Sequence, residues 1–151
     1  MNLLPHTDRA VRTAAALAAT GFAGIALFQL TLAAGAPWGH AAWGGAHAHL
    51  TTAQRTGSAI AVVVWLAAVL VVLGRAGLQG DKRGTRLRRW GTWFLVAVSM
   101  LAALLNFASQ SRWENAIFGP LSVLLTILCA IVARSPLADE RAMPPARIPT
   151  A

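Results

Sequence analysis

Tyrosine is absent from this chain of 151 residues, cysteine occurs once and only five residues are acidic. The single thiol, Cys129, has no partner for an internal disulfide, so no oxidised framework holds the fold. No pair of carboxylates is set out for general acid and base work, which leaves a glycosidase reading unsupported. A glycine-rich phosphate loop between strand and helix and a nucleophile elbow are also missing, so nucleotide hydrolysis and α/β-hydrolase chemistry have no support either. The absence that decides most is that of charge from long stretches: residues 13–35, 56–74, 90–109 and 115–133 contain no Asp, Glu, Lys, Arg or His.

Hydrophobic residues make up 56% of the chain and charged residues 12%, too apolar a balance for a water-soluble globule of this size. About 20 residues of helix cross the roughly 30 Å hydrocarbon core of a bilayer, so each uncharged run is long enough to span it. None alternates apolar and polar residues as a barrel strand would. The sequence therefore predicts an all-α, polytopic membrane protein with four transmembrane helices in an up-and-down bundle, formed by residues 1–134. Residues 135–151 (SPLADERAMPPARIPTA) carry Pro and Ala without apolar periodicity and read as a disordered tail.

Basic residues give the orientation. With the N-terminus in the cytoplasm, eleven Lys and Arg fall inside and only Arg55 and Arg112 outside, which predicts that both termini are cytoplasmic and that the protein is a multi-pass component of a bacterial plasma membrane. Net charge is +8, but the basic residues concentrate in loop 75–89 (RAGLQGDKRGTRLRR) rather than on a soluble face. Anionic lipid headgroups are the partners expected there, and nucleic acid is not. A small-x-small triplet at 34–36 raises a signal peptide, yet the apolar run before it exceeds the 7 to 15 residues typical of such segments.

In lipid, helices associate through small residues and side-chain hydrogen bonds, so the packed face should be the small and polar one. The first helix lines up Ala14, Ala18, Gly21, Ile25 and Gln29, and the second Gly57, Ala61, Trp65 and Ala68. The third gives Ser99, Ala102, Ala103, Asn106 and Gln110, and the fourth Asn115, Gly119, Ser122, Thr126, Cys129 and Ala133. Gln29 and Asn106 each follow an inner arginine by 17 residues, which places them at one level in the outer half. They either bond across the bundle as structural glue or floor a cavity open to the outside. Arg9, Arg12 and Gln29 recur at an offset of 77 as Arg86, Arg89 and Asn106, a hint of duplication that the other two helices do not share.

The segment 36–45, APWGHAAWGG, joins the first two spans without a charge. Trp38 and Trp43 suit headgroup level, Pro37 is expected to end the first helix, and the glycines permit tight turns, so the segment reads as an interfacial or re-entrant cap. Beside it lie the outer titratable groups His40, His47, His49, Arg55, Arg112 and Glu114. Glu114 is expected at the N-terminus of the fourth helix, where a carboxylate complements the helix dipole, with a catalytic role beside His40 as the alternative. His40, His47 and His49 are weak candidates for a metal, lacking a nearby Cys or acid to complete a ligand set, and no cofactor is expected.

The cap GAPWGHAAWGG, the basic loop, and LNFASQSRWENAIFGPLS leading into a last helix that ends in VARSP resemble a group of small four-helix bacterial integral membrane proteins. That resemblance spans about residues 30–136 and implies the topology above; the group carries no assigned activity and so implies no site residue. Two functions stay open. One is a non-enzymatic membrane component that self-associates or joins a larger membrane complex. The other is a small transport or sensing protein whose outward-facing cavity, built from Gln29, Trp38, His40, Trp43, Asn106, Arg112 and Glu114, lies under the cap.

Overall fold

A computed structural model describes residues 4–78 and 85–135 of the chain. Helix α1 is Leu4–Ala34, α2 Thr52–Arg75, α3 Thr85–Ala108 and α4 Gly119–Arg134. A π-helical turn, Glu114–Phe118, leads into α4, and two 3-10 turns, Gly39–Ala41 and Trp43–Gly45, lie between α1 and α2. No strand occurs among the described residues. Four helical segments are long and apolar enough to cross a membrane: Asp8–Ala34, Thr52–Arg75, Arg86–Ala108 and Glu114–Arg134. The shortest of them, at 21 residues, measures about 32 Å. The tail 136–151, and Lys82 and Arg83 of the basic loop, lie outside the described residues.

Local chemistry sets the helix ends. Thr51 and Gln54 form a reciprocal capping box, which starts α2 four residues before the uncharged run begins. The end of α1 differs from expectation, because Gly35 rather than Pro37 terminates it. Gly35 takes φ of +100°, its N–H donates to Leu32 O at 3.0 Å, and the N–H of Ala36 donates to Thr31 O at 3.0 Å. Those two bonds are a Schellman closure, and the left-handed backbone it needs favours glycine. Arg55 of α2 donates from Nε to Ala33 O at 3.0 Å, satisfying one more terminal carbonyl.

The four helices alternate in direction. At one end, called here the cap end, the C-terminus of α1 meets the N-terminus of α2 through Arg55, and Asn106 of α3 donates to Ser122 of α4 at 3.2 Å. At the opposite, basic end, Arg75 of α2 donates to the carbonyl of Ser135, and Arg88 of α3 donates to Gly74 O at 3.5 Å. Helix α1 packs chiefly on α2 and α3 on α4, with α1 against α4 and α2 against α3 closing the ring.

Small residues make that ring tight. Ala14, Ala15 and Ala18 of α1 are buried with Phe22 against Ala68 and Val72 of α2 and Leu125, Cys129 and Val132 of α4. Phe22 stacks on Trp65 with ring centroids 5.4 Å apart. The stripes read from the sequence do face inward, apart from Gln110 and Asn115, which are exposed because they lie at the turn joining α3 and α4. Leu17, Leu27, Ile60, Val63, Leu70, Phe94, Leu104 and Ile127 point out from the bundle. Phe22→Ala should cost about 3 kcal/mol, since it removes a fully buried ring and its aromatic partner contact. Reversible unfolding in mixed micelles against the unmodified protein measures that loss.

Candidate functional site

The cap is folded by its own backbone before any side chain acts. Gly39 donates to Ala48 O at 2.8 Å, and a Cβ on Gly39 would lie 2.3 Å from the carbonyl oxygen of His47, so only glycine permits this crossing of the loop on itself. Trp43 adopts φ of 55°, a left-handed conformation costly for a bulky residue. Its indole N–H donates to the fully buried Ser58 Oγ at 3.2 Å, and its ring lies over Gly57, where a Cβ would sit 2.7 Å from it. Trp43 therefore works as a peg fixing the cap to α2.

A second clasp comes from the turn between α3 and α4. Ser111 Oγ donates to His40 O at 2.6 Å and accepts from Glu114 N at 3.4 Å, so Ser111 is the residue that caps the last helical segment. Glu114 does not neutralise the helix end alone, as its position in the sequence suggested. Its Oε2 accepts from Gly44 N at 3.2 Å and from Ser109 Oγ, which ties the cap to the α3–α4 turn across 70 residues of sequence. The π-helical turn that follows has a local cause: Pro120 has no N–H to continue an α-helical ladder, and Gly119 N closes instead on Glu114 O.

Beneath the clasp lies a cavity of about 160 Å³ between all four helices. Ala41 and Ala42 of the cap roof it, and its polar lining is Gln29, Ser99, Asn106, Glu114 and Ser122, with Phe28, Trp65 and Phe118 among the apolar walls. Gln29 and Asn106 thus share a cavity, but they do not bond to one another. Asn106 turns to Ser122, and the amide oxygen of Gln29 is buried with no hydrogen-bond partner, because α1 and α3 stand diagonally across the bundle with the cavity between them. Ser99, only 2% exposed, also has an unpartnered hydroxyl.

Those two groups are out of character for this chain. The hydroxyls of Thr20, Thr56, Thr92 and Thr126 each donate to the carbonyl four residues back in their own helix, at 2.7 to 3.0 Å. Ser99 has the same option and does not take it.

A second cleft, of about 510 Å³, opens on the flank of the cap end between α1 and the π-helical turn. It is lined by Phe28, Pro37, Trp38, His40, Trp113 and Ile117, together with Ala41 and Phe118. Phe28, Ala41 and Phe118 also line the inner cavity, so they form the wall between the two spaces. The Phe28 and Phe118 rings meet at 5.0 Å and 36°.

The residues singled out from the sequence are therefore divided. Gln29, Asn106 and Glu114 line the inner cavity, Trp38 and His40 line the outer cleft, and Trp43, which pins the cap, lines neither. Arg112 is exposed and lines neither space. His40 Nδ1 bonds to Gly45 O at 2.9 Å and not to Glu114, so no His–carboxylate pair forms. His47 and His49 are exposed, and among the described residues no three His, Cys, Asp or Glu side chains gather as a metal site. Sequence reading passed over Phe28, Phe118 and Trp113. It also passed over Ser111, although S-x-x-E at 111–114 is a capping signature.

Glu114→Ala should loosen the cap without unfolding the bundle. A hydrogen bond to a charged group contributes about 1.5 kcal/mol or more, so amide exchange at Gly44 should accelerate about tenfold while the core of α1 keeps its protection. Gly39→Ala should act more severely, raising exchange throughout residues 39–48, because the clashing atom is backbone. Hydrogen exchange read by mass spectrometry resolves both.

Comparison of the chain with protein-family models, with curated proteins and with solved structures finds no match.

Proposed function

We propose that this chain is a non-enzymatic, multi-pass protein of the bacterial plasma membrane that receives a small polar ligand in an outward-facing cavity, in a transport or sensing role. The distribution of basic residues supports an orientation with both termini in the cytoplasm and the cap outside. The resemblance of its cap and last hairpin to small four-helix bacterial membrane proteins belongs to the same reading.

One observation carries it. Gln29 and Ser99 both line the cavity beneath the clasped cap, and each carries a buried polar atom without a partner, Oε1 and Oγ. An unsatisfied buried polar group costs about 1 to 3 kcal/mol, and more where no water competes, so a purely structural core would carry apolar residues there. A space of about 160 Å³ is close to the roughly 150 Å³ that admits benzene, which sets the ligand portion it holds at a few heavy atoms. Self-association, the other reading of the sequence, has support of a different kind: Ala16, Thr20 and Gly24 form an exposed strip of small residues on α1, opposite its packed face.

The two readings separate on the purified protein. In mild detergent, native mass spectrometry with metal analysis should find a small molecule at fixed stoichiometry, lost from a Gln29→Leu/Ser99→Ala double variant. That variant, freed of two unsatisfied groups, should unfold at a higher temperature than the ligand-free parent. A discrete oligomer carrying nothing, with the double variant no more stable, would leave the cavity without a role and favour self-association. Cysteine placed at Trp38 should react with an impermeant thiol reagent added to whole cells.

A further inference from the structure

The inner cavity and the outer cleft differ in chemistry yet share a wall, and together they describe the shape of an amphiphile. Resting on the cavity reading above, we propose that the two spaces form one site for a primary amine carrying a single apolar chain, with the ammonium in the inner cavity and the chain in the outer cleft.

Three features assign the head. The unpartnered atoms are a carbonyl-type acceptor, Gln29 Oε1, and a hydroxyl, Ser99 Oγ, whose lone pairs accept. Glu114 lines the same cavity and spends only Oε2 on the clasp, so a carboxylate oxygen remains. An ammonium supplies three donors and no acceptor, which matches three acceptors, and its charge offsets the one carboxylate. No Lys or Arg lines either space, so an anionic or phosphate head would meet Glu114 without compensation. The faces of Phe28, Trp65 and Phe118 add attraction for a cation.

The tail and the route follow from the outer cleft. Trp38, Trp113 and Ile117 offer an apolar channel on the flank of the bundle, where a chain would enter from the outer leaflet. Phe28 and Phe118 stand between channel and cavity, and a rotamer change at either ring joins them. The absence of a cation in the lining argues against an aminophospholipid, whose phosphate would have to lie beside the ammonium.

The test uses the full chain in phosphatidylcholine nanodiscs, titrated calorimetrically with dodecylamine and corrected against empty discs. Dodecylamine should bind saturably at one per chain, with dodecanol and dodecyl sulfate at least tenfold weaker. Gln29→Leu/Ser99→Ala and Glu114→Gln should each weaken dodecylamine about tenfold, and Trp113→Ala should weaken it while leaving its preference over dodecanol intact. Phe118→Trp should slow association. Equal affinity for amine and alcohol, or unchanged binding in the Gln29/Ser99 variant, overturns the proposal. Should Glu114→Gln open the cap, the Gln29/Ser99 pair still decides. Binding of phosphatidylethanolamine in preference to dodecylamine also overturns it. A retained small molecule that is not an amine sinks this assignment and keeps the cavity reading, whereas nothing bound and no response to Gln29→Leu/Ser99→Ala sinks both.

Discussion

A polar group surrounded by hydrocarbon must find its partner within the protein, and most of this structure is an answer to that constraint. The backbone satisfies itself by forming helices. Helix ends are closed by a capping box at Thr51 and Gln54, by the Schellman turn at Gly35 and by Arg55 on Ala33. Hydroxyls along the spans turn back onto their own carbonyls, and Asn106 finds Ser122 on the neighbouring helix. Against that economy the unpartnered Gln29 Oε1 and Ser99 Oγ stand out, because both residues line the same cavity.

The place is defined by long-range contacts. Alanines on α1 let α2 and α4 approach closely near the middle and basic end, where Phe22, Val72, Cys129 and Val132 fill the interior. Toward the cap end the larger Phe28 and Phe118 meet at the flank, and the bundle does not close over Gln29. The cap covers the gap instead. It is pinned on one side by the Trp43 indole on Ser58 of α2 and clasped on the other by Ser111 and Glu114, so the roof is attached through a few hydrogen bonds. A covering held by a few hydrogen bonds opens at lower free energy than packed helices separate.

Several parts of this arrangement were legible beforehand. The four spans follow from length and lack of charge, since a stretch of about 20 apolar residues has few other stable fates. The inward faces of α1, α3 and α4 follow from small residues at helical spacing, apart from Gln110 and Asn115, which the turn between α3 and α4 carries to the surface. The cap was recognisable from Trp, Gly and Pro without charge, and Gln29 and Asn106 were drawn to one level by counting from inner arginines. Of the two roles left open for Gln29 and Asn106, the mutual bond did not form, because spacing gives depth in the bundle but not which helices are adjacent. Phe28 and Phe118 were indistinguishable from lipid-facing aromatics, for a periodic pattern does not say which of two apolar flanks meets another helix.

Sequence alone, then, determined that the chain makes four apolar helices and which side of each is small. Those properties depend on local composition and on the energetics of backbone in hydrocarbon. Only the tertiary structure decided that Ser99 and Gln29 lack partners, that Glu114 holds Gly44 rather than a histidine, and that two phenylalanines 90 residues apart divide a polar cavity from an aromatic cleft. Each is a relation between helices brought together by packing, and the side chains that end up without partners are known only once every neighbour is in place.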